Sequence, residues 1–152
     1  MNPIHPVLAP LARAAKERRG LDEELRKALA QPAWLRPEHR VGDPNAYMRH
    51  VLYVDPDGDF VITAITWLPG QVSPLHGHHV WCAFGVAEGE LTEEQFGADL
   101  SPRKTVHYGA GDVAEQSAIH RVSNRSRAPL VSLHLYGVSA ERLTTGINRI
   151  YP

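Results

Sequence analysis

The sequence predicts an all-β body, a closed barrel or double sheet, with helices confined to its first third. Three observations carry this expectation. From Tyr47 onward, β-branched and aromatic residues recur with a period of two in short segments: 47–54, 60–68, 80–86, 91–96, 103–108, 112–115, 120–124 and 130–136. Turn signals separate the segments, Asp55-Pro56-Asp57-Gly58 and Pro69-Gly70 being the strongest. No repeat, low-complexity run or linker interrupts the pattern. Eight or so short strands at such spacing suit a jelly roll.

The first third has another period. Val7, Leu8, Leu11, Ala12 and Ala15 recur at helical spacing, with Arg13, Lys16, Glu17, Arg18 and Arg19 mostly opposite. Gly20 is expected to end that helix, and a shorter one is expected over 22–30, with Leu21, Leu25 and Leu29 in one stripe. Pro32, Pro37 and Pro44 then punctuate the chain. Residues 1–46 are therefore expected to form a helical segment packed on the barrel, and residues 47–152 the barrel itself. A chain of 152 residues has room for one such domain with one core.

A net charge of -1, with Lys and Arg scattered among Asp and Glu, provides no bulk field for nucleic acid or an anionic membrane. Neither partner is expected. Cys82 is the single cysteine, so no intramolecular disulfide can form. The start, MNPIHPVLAP, lacks the basic and apolar runs of a secretion signal, and no stretch reaches membrane-spanning length. A reducing cytoplasm is the expected compartment. Nine histidines are left to explain.

The informative stretch is Gly70-Gln71-Val72-Ser73-Pro74-Leu75-His76-Gly77-His78. Histidines at i and i+2 of a strand project from one face and can share a metal. A lone His-x-His is weak evidence, but Gly109-Ala110-Gly111-Asp112 later forms a turn entering a strand, followed by His120 and, four residues on, Asn124. The two halves together resemble the two-part signature of the cupins, which are double-stranded β-helix barrels. In that resemblance the halves lie on facing strands and converge at the barrel mouth. His76, His78 and His120 are then three neutral imidazoles suited to Fe(II), Zn(II), Ni(II) or Mn(II). Cupins usually add a carboxylate ligand at the position seven before Gly89, which here is Cys82. A three-histidine site contributes no protein anion and leaves three octahedral positions for an anionic chelating substrate and O2. If the strand runs on unbroken, residues 76, 78, 80 and 82 share one face. Ser132, His134 and Tyr136 form a second alternating set, either a satisfied buried hydrogen-bond chain or a relay that fixes a phenol beside the metal.

From Tyr47 to Tyr136 the chain resembles one family more closely, the thiol dioxygenases of the cysteine dioxygenase type. The resemblance rests on Tyr47-x-Arg49, Trp67 nine residues before His76, and a Gly-Glu-Leu-x-Glu turn at 89–93. It also rests on Ile119-His120-Arg121-Val122-x-Asn124 and on Ser132-Leu133-His134-Leu135-Tyr136. Val80-Trp81-Cys82 looks like its bacterial branch. The resemblance implies Fe(II) on the three histidines and oxidation of L-cysteine by O2 to cysteine sulfinic acid. It implies Arg49 paired with the substrate carboxylate, Tyr47 adding a contact there, and the Tyr136 hydroxyl near substrate and O2, oriented by His134. In animal members a cysteine matching Cys82 is joined to the tyrosine through a thioether, whereas many bacterial members have glycine there. Otherwise Cys82 is a small buried hydrophobe. Members acting on 3-mercaptopropionate lack the arginine of position 49 and use one from the C-terminal region, where Arg142 and Arg149 lie here.

His5, His39, His50 and His107 are expected at surface or structural positions, His79 outside the pocket, and Trp34 and Trp67 in the core. Two rival functions fit the histidines: a non-catalytic cupin binding a metal or small molecule, and a zinc or nickel isomerase. Neither accounts for Arg49, Cys82 and the Ser132-His134-Tyr136 set together.

Overall fold

The computed structural model describes residues 3–116 and 119–152, Gln116 by its backbone alone; Met1 and Asn2 of the expected helical segment lie outside the described residues. Two helices come first, α1 (Ala9–Glu17) and α2 (Leu21–Ala30). The turn between them differs from expectation. Glu17 is the last residue of α1, Arg18 adopts a left-handed conformation (φ 54°), and Gly20 (φ 66°) instead opens α2. The Arg18 guanidinium lies over the Trp81 ring, 4.1 Å from its centroid, which ties this turn to the barrel. Asp22, Glu23 and Glu24 in the first turn of α2 complement the helix dipole.

Among the described residues ten strands follow: β1 (Met48–Val54), β2 (Val61–Trp67), β3 (His76–His78), β4 (Cys82–Glu88), β5 (Leu91–Phe96), β6 (Pro102–Tyr108), β7 (Val113–Gln116), β8 (Ile119–Ser123), β9 (Leu130–Tyr136) and β10 (Asn148–Ile150). They form two antiparallel five-stranded sheets, ordered β1-β2-β9-β4-β7 and β10-β3-β8-β5-β6. This is the double-stranded β-helix of the cupins, as expected.

The helices cover the outer face of the first sheet. Leu11, Leu25, Leu29 and Trp34 pack with Ile62, Ala64, Ala83, Leu133 and Leu135. Ile65, Trp67, Phe84, Val86, Leu91, Val122 and Leu130 fill the space between the sheets. Every residue of β2 and β9 is therefore buried. That explains why β2 reads as a nearly continuous apolar run rather than a clean alternation, since both its faces are covered. Gly85 on β4 lies under α2, where a side chain would collide with Leu29 and Val113. Among the described residues no helix is long and apolar enough to cross a membrane.

Candidate metal centre

Three residues make up β3, and its alternation turns His76 and His78 to the same side with Gly77 away. His76 is the register partner of His120 on β8. The two halves of the histidine pattern are therefore neighbours in one sheet, not residues of facing strands as the cupin resemblance implied. A short β3 pairing directly with β8 places the rings side by side. Ring centroids are 4.4 Å apart for His76–His120 and 4.9 Å for the other two pairs. One ligand atom from each ring lies within 4.8 Å of the others.

These residues fit a metal ion. The Nε2 atoms of His76 and His120 are 2.9 Å apart. Nitrogens about 2.1 Å from one ion, at right angles to each other, stand about 3.0 Å apart. Both other nitrogens have partners: Nδ1 of His76 donates to the Pro74 carbonyl (2.8 Å) and Nδ1 of His120 to Glu93 (2.7 Å). Donation through Nδ1 leaves each Nε2 with a free lone pair. Burial, with His120 beside them, pushes His76 down to about 4 and His78 down to about 3, so both are neutral at ordinary pH.

The facing sheet supplies the other wall of the cavity. The expected unbroken strand carrying residues 76, 78, 80 and 82 on one face is not formed: residues 79–81 lie outside either strand, and Cys82 begins β4 in the other sheet. Cys82 lines the same cavity as the histidines nonetheless. Tyr136 is its direct register partner on β9. Burial pushes the Cys82 thiol up to about 12 despite Arg49 nearby, so it stays protonated. Along β9 a buried chain begins at Trp67, whose Nε1 donates to Ser132 Oγ at 3.0 Å. Ser132 Oγ is 2.7 Å from His134 Nε2, and His134 Nδ1 is 3.3 Å from the Tyr136 hydroxyl. The chain is satisfied when Ser132 donates to Nε2 and Nδ1–H donates to the phenol oxygen, leaving the phenol proton free to point elsewhere. Burial, reinforced by the charge of Arg49, holds His134 well below the usual histidine range. Arg49 on β1 also lines the cavity, its guanidinium 5.6 Å from the Tyr136 ring centre and 5.9 Å from that of Tyr47. Its buried Nε has no hydrogen-bond partner among the described residues. Tyr47 stacks on Trp67 at 4.4 Å.

The sequence model of one family, described as cysteine dioxygenase type I, matches residues 33–143. The chain belongs to the cysteine dioxygenase type I family. Solved structures carry the same fold at low identity. One is a conserved protein with a double-stranded β-helix domain from Klebsiella pneumoniae (22% identity, TM-score 0.56, covering 68% of this chain and 86% of that one). Another comes from Thermus thermophilus (18%, 0.56, 66% and 91%). Bacillus subtilis oxalate decarboxylase matches over 27% of its own length and 64% of this chain (22%, 0.53). Membership in the cysteine dioxygenase type I family points to an enzyme of the thiol dioxygenase class.

Within that family frame, two residues of the site carry no role in the sequence reading. Glu93 stands at the end of the Gly-Glu-Leu-x-Glu turn, 2% exposed, and bonds His120. Burial alone would raise its carboxyl, but hydrogen bonds from His120, Gln95 and Tyr108 outweigh it and hold the group down to about 2. An anion is thus present beside the three histidines after all, attached to one of them. Asn148 on β10 lines the cavity opposite His78, its register partner. Arg142 and Arg149 are exposed and do not line it; Arg149 lies over Tyr151. Leu143 and Ile147 of the C-terminal segment pack on Val61, Cys82 and Tyr136. His79 is exposed, as expected. His39 and His50 make an edge-to-face pair, and His5 caps the turn before α1.

Proposed function

We propose that this protein is an Fe(II)-dependent thiol dioxygenase whose preferred substrate is L-cysteine, the product being cysteine sulfinic acid. The observation that carries this is the pairing of walls in one cavity. Three imidazoles lie on one side, and a half-buried Arg49 lies on the other, the sole arginine lining the cavity among the described residues. Bound by His76, His78 and His120, Fe(II) supplies an open position for the thiol sulfur and the redox chemistry with O2.

The chain's own residues do the rest. The Arg49 fork matches the planar carboxylate of an amino acid and fixes the substrate's distance from the metal. Tyr47 and Tyr136 flank the guanidinium with their ring faces. The Tyr136 phenol is raised above its ordinary pKa, chiefly by burial, so it acts as a hydrogen-bond donor to the reacting end of the substrate. His134 and Ser132 set its direction. The protonated Cys82 thiol does not compete with the substrate thiolate. Both oxygen atoms of O2 are transferred to the one sulfur, R–SH + O2 giving R–SO2H, so no further reductant is consumed.

3-Mercaptopropionate carries the same thiol and carboxylate without the amine, and is the second reading. Metal analysis of the purified protein followed by oxygen uptake with L-cysteine, cysteamine and 3-mercaptopropionate tests both. Iron with uptake fastest on cysteine is expected. Faster uptake on 3-mercaptopropionate would move the reading to the second substrate. Zinc or nickel without thiol-dependent uptake would leave a binding protein or an isomerase.

A further inference from the structure

Glu93 is the most deeply buried acidic group of the site, and the proposed chemistry does not use it. It sits on β5, whose register places Glu93 opposite Val122 and Gln95 opposite His120, so the carboxylate reaches His120 on the diagonal. Oε2 lies 2.7 Å from His120 Nδ1. Oε1 accepts from Gln95 Nε2 at 2.7 Å and from the Tyr108 hydroxyl at 3.0 Å. The carboxylate is therefore gripped from two sides while its second oxygen points at a ring whose other nitrogen faces His76. The site lacks a carboxylate ligand because Cys82 stands where one is usual, and Glu93 brings a negative charge back at one remove.

We infer that Glu93 is a positioning residue for the metal centre: it fixes His120 with its proton on Nδ1 and its lone pair toward the ion, and lends that ring anionic character. Tyr108 tempers this by drawing charge to the other oxygen. The inference rests on the reading of His76, His78 and His120 as metal ligands.

The two residues should then act with opposite sign. Glu93→Gln removes the anion and allows the amide to donate to Nδ1, which would move the ring proton to the ligating nitrogen. Tyr108→Phe removes one hydrogen bond from the carboxylate and leaves more of its charge on His120. Anaerobic titration of the metal-stripped protein with Fe(II) alone should show a roughly 10–100-fold loss of affinity for Glu93→Gln. The Fe(III)/Fe(II) midpoint potential of the loaded protein should rise in Glu93→Gln and fall in Tyr108→Phe, because a nearby anion favours the higher charge state. Unchanged affinity and potential in Glu93→Gln, or potentials moving in the same direction in both variants, would overturn the inference. Should Glu93→Gln fail to fold, Tyr108→Phe decides alone, and a potential unchanged or raised there refutes it. His76→Ala serves as the reference for the underlying reading: full Fe(II) binding in that variant would defeat the metal assignment itself, whereas its loss there with none in Glu93→Gln would defeat only the role of Glu93.

Discussion

Replacing Arg49 with leucine separates substrate recognition from everything else in the cavity. The guanidinium sits between two tyrosine rings with its Nε out of contact with solvent and without a partner among the described residues. A carboxylate about 4 Å away, at an effective dielectric near 20, interacts with it by roughly 4 kcal/mol. Removing one member of a desolvated charge pair costs about 2–5 kcal/mol in comparable settings. At about 1.4 kcal/mol per factor of ten, kcat/KM for L-cysteine should fall between about 30-fold and several thousand-fold. Cysteamine has the same thiol and amine but no carboxylate, so any turnover of it should change by less than about threefold, within the 0.5 kcal/mol expected of an uninvolved substitution. The assay is oxygen uptake at matched iron occupancy, with both thiols run on the same preparation. Equal losses on the two substrates would refute the argument and make Arg49 a structural residue.

Cys82 and Tyr136 face each other as register partners, so turnover with iron, L-cysteine and O2 should join them with loss of two hydrogens, visible by intact mass and as one linked peptide pair; peptides that stay separate after many turnovers would exclude the cross-link and leave the dioxygenase reading standing. Ser132→Ala strands the Trp67 N–H and His134 Nε2 in a buried site. The expected cost is about 2–5 kcal/mol, a drop in Tm on the order of 5–15 °C, and a Tm within 2 °C of the parent would show that the chain carries no stability. His134 is held neutral when folded but takes up a proton when unfolded at pH below about 6.5. The unfolded chain then binds more protons, so stability is unaffected above that pH and falls by up to about 1.4 kcal/mol per pH unit below it. Denaturant titrations of the metal-free protein from pH 7 to 5 should show a shallower decline in His134→Gln than in the parent; parallel declines would mean His134 protonates freely in the fold.

Much of this architecture is legible in the sequence. Segments 91–96 and 130–136 match β5 and β9, because glycine or proline marks the ends of each, and 130–136 is also rich in residues that fill a two-sided core. Polar Ser132, His134 and Tyr136 stood out because they break that apolar pattern at every second position. What stayed hidden depends on long-range pairing. β10 is three residues long and has no periodicity of its own; it exists as a strand because the edge of β3 accepts it. The break at 79–81 involves residues with good strand propensity, and only the switch between sheets overrides it. Glu93 enters the sequence reading only as the last residue of the Gly-Glu-Leu-x-Glu motif, since its contact with His120 spans 27 residues of sequence. The cupin signature identified which histidines meet, but placed them across the barrel when they are neighbours along one sheet.

Strand β9 serves two layers at once. Its even-numbered residues Ser132, His134 and Tyr136 face the cavity, and its odd-numbered residues Val131, Leu133 and Leu135 are gripped by the helix layer. Among the described residues none of α1 or α2 lines the cavity, yet the helices act as the clamp on the beam that carries the phenol. Rigidity at Tyr136 is therefore set from behind, by Leu11, Leu25, Leu29 and Trp34, and a substitution that loosens α1 or α2 would blur the phenol's aim before it unfolded the barrel.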